Sequence, residues 1–350
     1  MKRIARTPET FEALNLFTAV GLKEGYRVDN EAHQRQFITA IENSLKAAHG
    51  NLRILYGKRI EALFAHVAGA LGQCLMVKVE DSGDIFTADG DVKAPDYRLT
   101  LRDRRQMLIE VKNCHADGLD RPFSLKRSYF EQLDRYADIN STPLKIAIFF
   151  SRWNRWCLLS RHSFEEKGDS LITGVMNAMA KNEMSAIGDV SLATLPELRL
   201  ELLANPTEAK EIDDDGQAQI IFRSSRLFCR GMEIIEPAEK EIAFRLMRYG
   251  DWPDTSEAIV ENGKLLGMVI TATPRETHEG QDLEVIGNLS SMVSAAFAEM
   301  TVADRRPVAL DVAVDPSAFA LYIPEGFKSD VFPLLRIVQK PNFEYEAREQ

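Results

Sequence analysis

The strongest constraint on this chain is a change of hydrophobic period at Gly72. Ahead of it, apolar residues recur every three or four positions in three stretches: 8–20 (PETFEALNLFTAV), 30–48 (NEAHQRQFITAIENSLKAA) and 53–71 (RILYGKRIEALFAHVAGAL). That spacing predicts three amphipathic helices, the last ended by the glycine. Behind it the pattern shortens to strand-length runs of strand-forming residues at 75–80, 96–101, 106–112, 144–150 and 156–160. The polar RDRR at 102–105 is short enough to join two of them as an antiparallel hairpin. Between the third and fourth of these runs helical spacing returns in 124–140, where Phe130, Leu133, Tyr136 and Ala137 share a face. The predicted order is helix, three strands, helix, two strands.

The pattern shifts again after about residue 162. An irregular or helical connection is expected through EKGDSLITGVMNAMAKNEM, followed by the acidic EAKEIDDDGQ. Beyond it the periodicity predicts a strand in QIIFRSSRLF, a helix in PAEKEIAFRLMRYG and a hairpin turning at Asn262-Gly263. A helix in DLEVIGNLSSMVSAAFAEM and strands in RPVALDVAV and AFALYIP complete the pattern. With 350 residues the chain is too long for one ordinary core. We expect a helical N-terminal region at 1–50, a catalytic core at 51–162 and an acidic α+β domain at 163–350.

Apolar residues make up 45% of the chain and charged residues 27%, which is a globular composition. No run of eighteen apolar residues occurs and the N-terminus lacks a signal-peptide core, so a cytoplasmic protein with no membrane partner is expected. Cys74, Cys114, Cys157 and Cys229 are widely spaced without a CxxC pair and read as buried thiols. The net charge of −10 argues against a nucleic-acid partner until its distribution is considered. Residues 1–95 sum to about 0, 96–161 to about +5 and 162–350 to about −15. A phosphate backbone senses charge within roughly 8–10 Å, so the central segment is the one suited to it.

That basic segment also carries the chemistry. Phosphodiester hydrolysis needs an activated water, charge neutralisation at phosphorus and a stabilised leaving oxygen, and Mg2+ (or Mn2+) held by carboxylates can supply all three. In APDYRLTLRDRRQMLIEVKN, Asp96 starts one strand, while Glu110 and Lys112 stand two apart on the next and leave the same face of the sheet. The hairpin brings Glu110 to the start of the Asp96 strand. Charge at the end of an otherwise apolar strand needs a reason, because an unpaired charge there costs several kcal/mol.

Pro95-Asp96, thirteen intervening residues and Glu110-Val111-Lys112 resemble the motif of the PD-(D/E)XK nuclease superfamily. Gln132 and Tyr136, four apart after the motif strand, are similar to the QxxxY signature of its RecB-like members. The resemblance covers roughly residues 50–160. It implies a restriction-endonuclease-like α/β fold, a mixed sheet flanked by helices. It further implies that Asp96 and Glu110 are metal ligands, that Lys112 positions the attacking water or steadies negative charge, and that Glu61 is an auxiliary metal contact. Gln132 and Tyr136 would orient Lys112 or the substrate strand, and Lys126 and Arg127, at the expected helix start, would hold phosphate.

Other features support less. Trp153 and Trp156, alternating with Arg152 and Arg155, fit nucleobase stacking but fit packing at a strand turn better. His115 reads as a loop histidine. ENGKLLG lacks the upstream glycine and the Ser or Thr of a P-loop, so no nucleotide cofactor is expected. The resulting expectation is a divalent-metal deoxyribonuclease, with a homodimer as the route to double-strand cleavage. A nuclease acting on RNA, and an inactive nucleic-acid-binding or scaffold protein with the same fold, remain the alternatives.

Overall fold

In the computed structural model, residues 1–3, 8–80, 84–115, 118–119, 121–205, 207, 211–277, 280 and 282–345 are described, with the side chains of 8–11 excepted. Residues 208–210 of the acidic stretch lie outside them. The chain forms two compact units: Met1–Ile187 with Phe297–Phe319 and Pro341–Gln350, and Gly188–Ala296 with Ala320–Lys340.

In the first unit, α1 (Pro8–Glu24), α2 (Glu31–His49) and α3 (Leu52–Ala70) follow the three predicted helices. Asparagine caps start two of them. Asn30 accepts from the Ala32 and His33 amides, and Asn51 from that of Ile54, so side-chain oxygens satisfy amides that the first helical turn leaves open. Then come β1 (Cys74–Val79), β2 (Tyr97–Leu101), β3 (Gln106–Cys114), β4 (Phe123–Lys126), α4 (Arg127–Ile139), β5 (Leu144–Phe150) and β6 (Arg155–Leu159).

Five of these strands form one mixed sheet in the order β1-β2-β3-β5-β6. The β2–β3 pair is the antiparallel hairpin expected at RDRR, with Tyr97 opposite Ile109 and Leu99 opposite Met107. The β3–β5 pair is parallel, Glu110 lying beside Ile146 and Lys112 beside Ile148. A parallel neighbour cannot be reached by a tight turn, and α4 provides the crossover. Ile60, Leu63, Phe64 and Val67 put an apolar stripe on α3, and Phe64 meets Tyr97 and Trp156 at ring distances of 5.9 and 5.4 Å. The other apolar layer joins Leu108, Ile146 and Ile148 of the sheet to Phe130, Leu133 and Ala137 of α4. Each such fully buried side chain contributes about 1.5–3 kcal/mol, so the two layers fix β3 from both faces.

The chain after residue 162 departs from expectation. Where an irregular or helical connection was expected it forms two strands, β7 (Glu165–Lys167) and β8 (Ser170–Thr173), followed by the short helix α5 (Val175–Ala180). β8 pairs with β4, and Phe164, Leu171, Val175 and Ala178 join the core around Phe130. This shared apolar core carries the first unit to Ile187 and displaces the expected boundary at 162.

The second unit is α+β. It contains β9 (Ser191–Thr194), β10 (Leu198–Ala204), β11 (Phe222–Cys229), β12 (Met232–Ile234), α6 (Pro237–Tyr249), β13 (Asp254–Glu261), β14 (Lys264–Ala272), β15 (Glu284–Asn288) and the start of α7 (Leu289–Thr301), whose residues from Phe297 on belong to the first unit. One sheet runs β12-β11-β10-β14-β13. Its predicted hairpin turns at Asn262 and Gly263, both at positive φ, as a tight two-residue turn requires. The helix expected from residue 282 starts only at Leu289, because Glu284–Asn288 pairs with β9 as a strand. The strands expected in RPVALDVAV and AFALYIP reduce to a two-residue ladder, β16 (Val302–Ala303) with β17 (Arg306–Pro307), and a short 3-10 turn at Pro316–Phe319, all of which belong to the first unit. The late strand is instead β18 (Leu334–Ile337), which pairs with β9. All four cysteines are buried and none forms a disulfide among the described residues. Among the described residues no helix is long and apolar enough to cross a membrane.

Candidate active site

The β2–β3 register sets Tyr97 against Ile109, so the preceding residue, Asp96, enters the hairpin beside Glu110. The Val111 amide donates to Asp96 Oδ2 at 2.7 Å, which ties the two strand ends together through a carboxylate. Glu110 is only 2% exposed. Its Oε1 accepts from the Lys112 ammonium and from the Tyr129 hydroxyl. Lys112 also donates to the Val111 carbonyl at 3.1 Å and lies 3.4 Å from the Tyr129 oxygen. Asp96, Glu110 and Lys112 are thus gathered at one end of the hairpin.

The electrostatics are unbalanced. Burial pushes the Asp96 carboxyl up to about 7, the neighbouring Glu110 adds to the rise, and Glu61 adds a smaller increment. The Val111 amide and the Lys112 ammonium oppose the rise without cancelling it. A place where anionic charge exceeds its compensation is where a cation binds most favourably. Among the described residues, Asp96 Oδ1 and Glu110 Oε2 accept no hydrogen bond.

No group of three His, Cys, Asp or Glu side chains close enough to hold a metal occurs among the described residues. Glu61 is therefore not part of a compact three-carboxylate set. Its carboxylate pairs with Lys58 at 2.6 Å, and its backbone carbonyl accepts from the Tyr97 hydroxyl at 3.0 Å. Two carboxylates still suit Mg2+, which keeps several of its waters and takes one or two protein carboxylates. Asp96 and Glu110, with the Val111 carbonyl nearby, fit such an ion.

On α4 the expected pairings change. Tyr136 does not hold Lys112: its hydroxyl donates to Glu80 at 2.7 Å. The guanidinium of Arg98 pairs with the same carboxylate at 2.6 Å and reaches Asn140 at 2.9 Å. Burial tends to raise Glu80, but Arg98 and Tyr136 outweigh it and hold the carboxyl below its ordinary value. The Gln132 backbone carbonyl accepts from the Lys93 amide at 3.1 Å. Lys112 is met instead by Tyr129, one turn before Gln132. Residues 129, 132, 136 and 140 form a stripe along the helix, along which Tyr129 meets Glu110 and Lys112 while Tyr136 and Asn140 meet the Glu80–Arg98 pair.

Lys126 is exposed at the start of α4. Arg127 pairs with Glu166 at 2.7 Å and donates to the Gly168 carbonyl at 3.1 Å, which commits it to the β7–β8 turn. Trp156 is buried at the sheet and Trp153 packs against the α4 core. His115 is exposed, 2.9 Å from Ser151.

Two residues at the site had not been singled out in the sequence. Tyr129 touches both Glu110 and Lys112, and the Lys93 ammonium lies 4.5 Å from the centre of its ring, with that of Lys112 at 5.2 Å. The signals were available. Tyr129 shares the helical stripe of Gln132 and Tyr136, and Lys93 stands three residues before Asp96.

No protein-family model matches this chain, and no curated protein matches it. Among solved structures it is similar to Hjc, a Holliday junction resolvase from the archaeal hyperthermophile Archaeoglobus fulgidus. The two share 20% identity over 27% of this chain and 78% of that one, with a TM-score of 0.22.

Proposed function

We propose that the first unit is a divalent-metal-dependent nuclease of the PD-(D/E)XK type with a restriction-endonuclease-like sheet, and that it hydrolyses phosphodiester bonds in DNA. The observation that carries this reading is the convergence of Asp96, Glu110 and Lys112, with Asp96 bonded to the Val111 amide and Glu110 to Lys112. Asp96 and Glu110 would hold the cation. Bound there, Mg2+ supplies charge neutralisation at phosphorus and an acidified water. Lys112 holds its ammonium beside Glu110, where it steadies the negative charge that develops as the bond breaks. Tyr129 fixes Glu110, so the carboxylate is set before substrate arrives. Lys93, over the same ring, is placed to neutralise a phosphate of the bound strand.

A second reading, an inactive nucleic-acid-binding protein with this fold, draws on the fact that Lys112 and Tyr129 both occupy Glu110 Oε1. Incubation of supercoiled plasmid and of structured RNA with the purified chain, in Mg2+ and in EDTA, separates the readings. The nuclease reading expects Mg2+-dependent nicking of plasmid that Asp96→Ala abolishes. Cleavage of RNA alone would reassign the substrate, and binding of either nucleic acid without cleavage would favour the inactive reading.

A further inference from the structure

α2 has nineteen residues, yet none of its side chains is buried. Its Phe37 ring meets Phe17 of α1 at 5.1 Å, while Ile38 and Leu45 on the outer flank stay 63% and 66% exposed. A helix of this length draws its stability chiefly from packing an amphipathic face, so an outer apolar flank without cover is a surface suited to a partner. Between Leu14 and Ile54 eight large aliphatic side chains are 44% to 77% exposed.

The charges beside Ile38 indicate the partner. Glu31, Arg35, Ile38, Glu42 and Lys46 follow one another at spacings of three and four, which places them in a single row along the helix. Along that row the signs run negative, positive, negative, positive. Reversed end for end, the row reads as its own complement. Two copies of α2 crossing antiparallel about an axis between Ile38 and Thr39 set Glu31 against the other copy's Lys46 and Arg35 against the other copy's Glu42. Within one chain these charges pair at i,i+4, Arg35 with Glu31 at 3.6 Å and Lys46 with Glu42 at 2.6 Å. Dimerisation would join the two pairs of each copy into one network. Each pairing then occurs twice across the interface, as two-fold symmetry requires.

We propose that the outer face of α2 is a homodimer interface, two copies packing antiparallel about Ile38. The row carries no net charge, which disfavours a nucleic acid or an anionic membrane as its occupant.

Sedimentation equilibrium of the full chain at low salt tests this. The expected species has twice the 39.4 kDa of one chain. Arg35→Glu and Glu42→Arg should each weaken association about tenfold or more, with helical circular dichroism unchanged. Mixing the two variants should restore the dimer, because the two reversed charges then face each other and the two native charges do likewise. A chain that stays monomeric at about 100 μM overturns the proposal. So does a dimer indifferent to both reversals and to Ile38→Lys, or a mixture that associates no better than either variant alone.

Discussion

The Tyr129 hydroxyl donates to Glu110 Oε1, the oxygen that also accepts from Lys112. A carboxylate that is 2% exposed has little water to orient it, so a phenol and an ammonium set its direction. Tyr129→Phe keeps the ring and its contacts with Lys93 and Lys112 but removes the donor. We expect kcat for DNA cleavage to fall about 10- to 100-fold with KM within about threefold of its starting value. Unfolding free energy should drop by about 1–2 kcal/mol. Steady-state cleavage and urea denaturation of the same preparation give both numbers.

Tyr136 is expected to behave differently although it lies on the same helix. Its hydroxyl bonds to Glu80 beside Arg98, so Tyr136→Phe should cost about 1 kcal/mol of stability while changing kcat less than about threefold. Arg98→Ala should cost about 3–5 kcal/mol, because the Glu80 carboxylate, its side chain 6% exposed, loses its countercharge. If Tyr136→Phe lowered kcat as far as Tyr129→Phe does, the assignment of the two tyrosines to separate clusters would be wrong.

Asp96 makes the metal-free fold pH-sensitive. Its carboxyl is pushed up to about 7 by burial and by Glu110, against about 3.8 in an unfolded chain. Between those values the folded state binds more proton than the unfolded one, so this group's contribution to stability falls as pH rises from about 4 to 7 and is level above. Asp96→Asn keeps an oxygen for the Val111 amide and removes the charge. In EDTA the variant should be about 1–3 kcal/mol more stable than the parent at pH 8 and equal to it near pH 4. Denaturation curves at the two pH values measure the difference, and a variant less stable at pH 8 would contradict it.

The same proton must leave when a cation binds. Apparent Mg2+ affinity should therefore rise with pH up to about 7 and level off, with net proton release on binding. Calorimetry in two buffers of different ionisation enthalpy reads the released proton directly. Chelation should abolish cleavage, and added Mg2+ should raise the melting temperature of the parent at pH 8 but not that of Asp96→Asn.

Lys93 is expected to act on binding. Lys93→Ala should weaken DNA affinity to a similar extent across sequences and reduce the slope of log K against log salt by about 1. Fluorescence anisotropy with Ca2+ in place of Mg2+ measures this without turnover, and an unchanged slope would remove Lys93 from the interface.

The elements that build the sheet were legible because their patterns are local. The period change at Gly72, the RDRR turn and the α4 face each lie within a few residues, and α3, the β2–β3 hairpin and α4 formed where those patterns placed them. Asp96, Glu110 and Lys112 met for the same reason, since a hairpin fixes its own register. What was not legible depends on contacts distant in sequence. Glu284–Asn288 reads as the start of a helix until β9, about ninety residues earlier, pairs with it. Residues 165–180 read as a linker until β4 and the core around Phe130 accept them. The partner of Tyr136 could not be read from its spacing with Gln132, because Glu80 reaches it from β1's end of the sheet.

Asp96 and Glu110 are proposed to share a divalent cation. A crystal soaked in Mn2+ and measured at the manganese absorption edge tests it most directly. An anomalous peak is expected within about 2.5 Å of oxygens from both carboxylates, absent in Asp96→Asn. An occupied lattice with no peak there, and with Lys112 still bonded to Glu110, would contradict it.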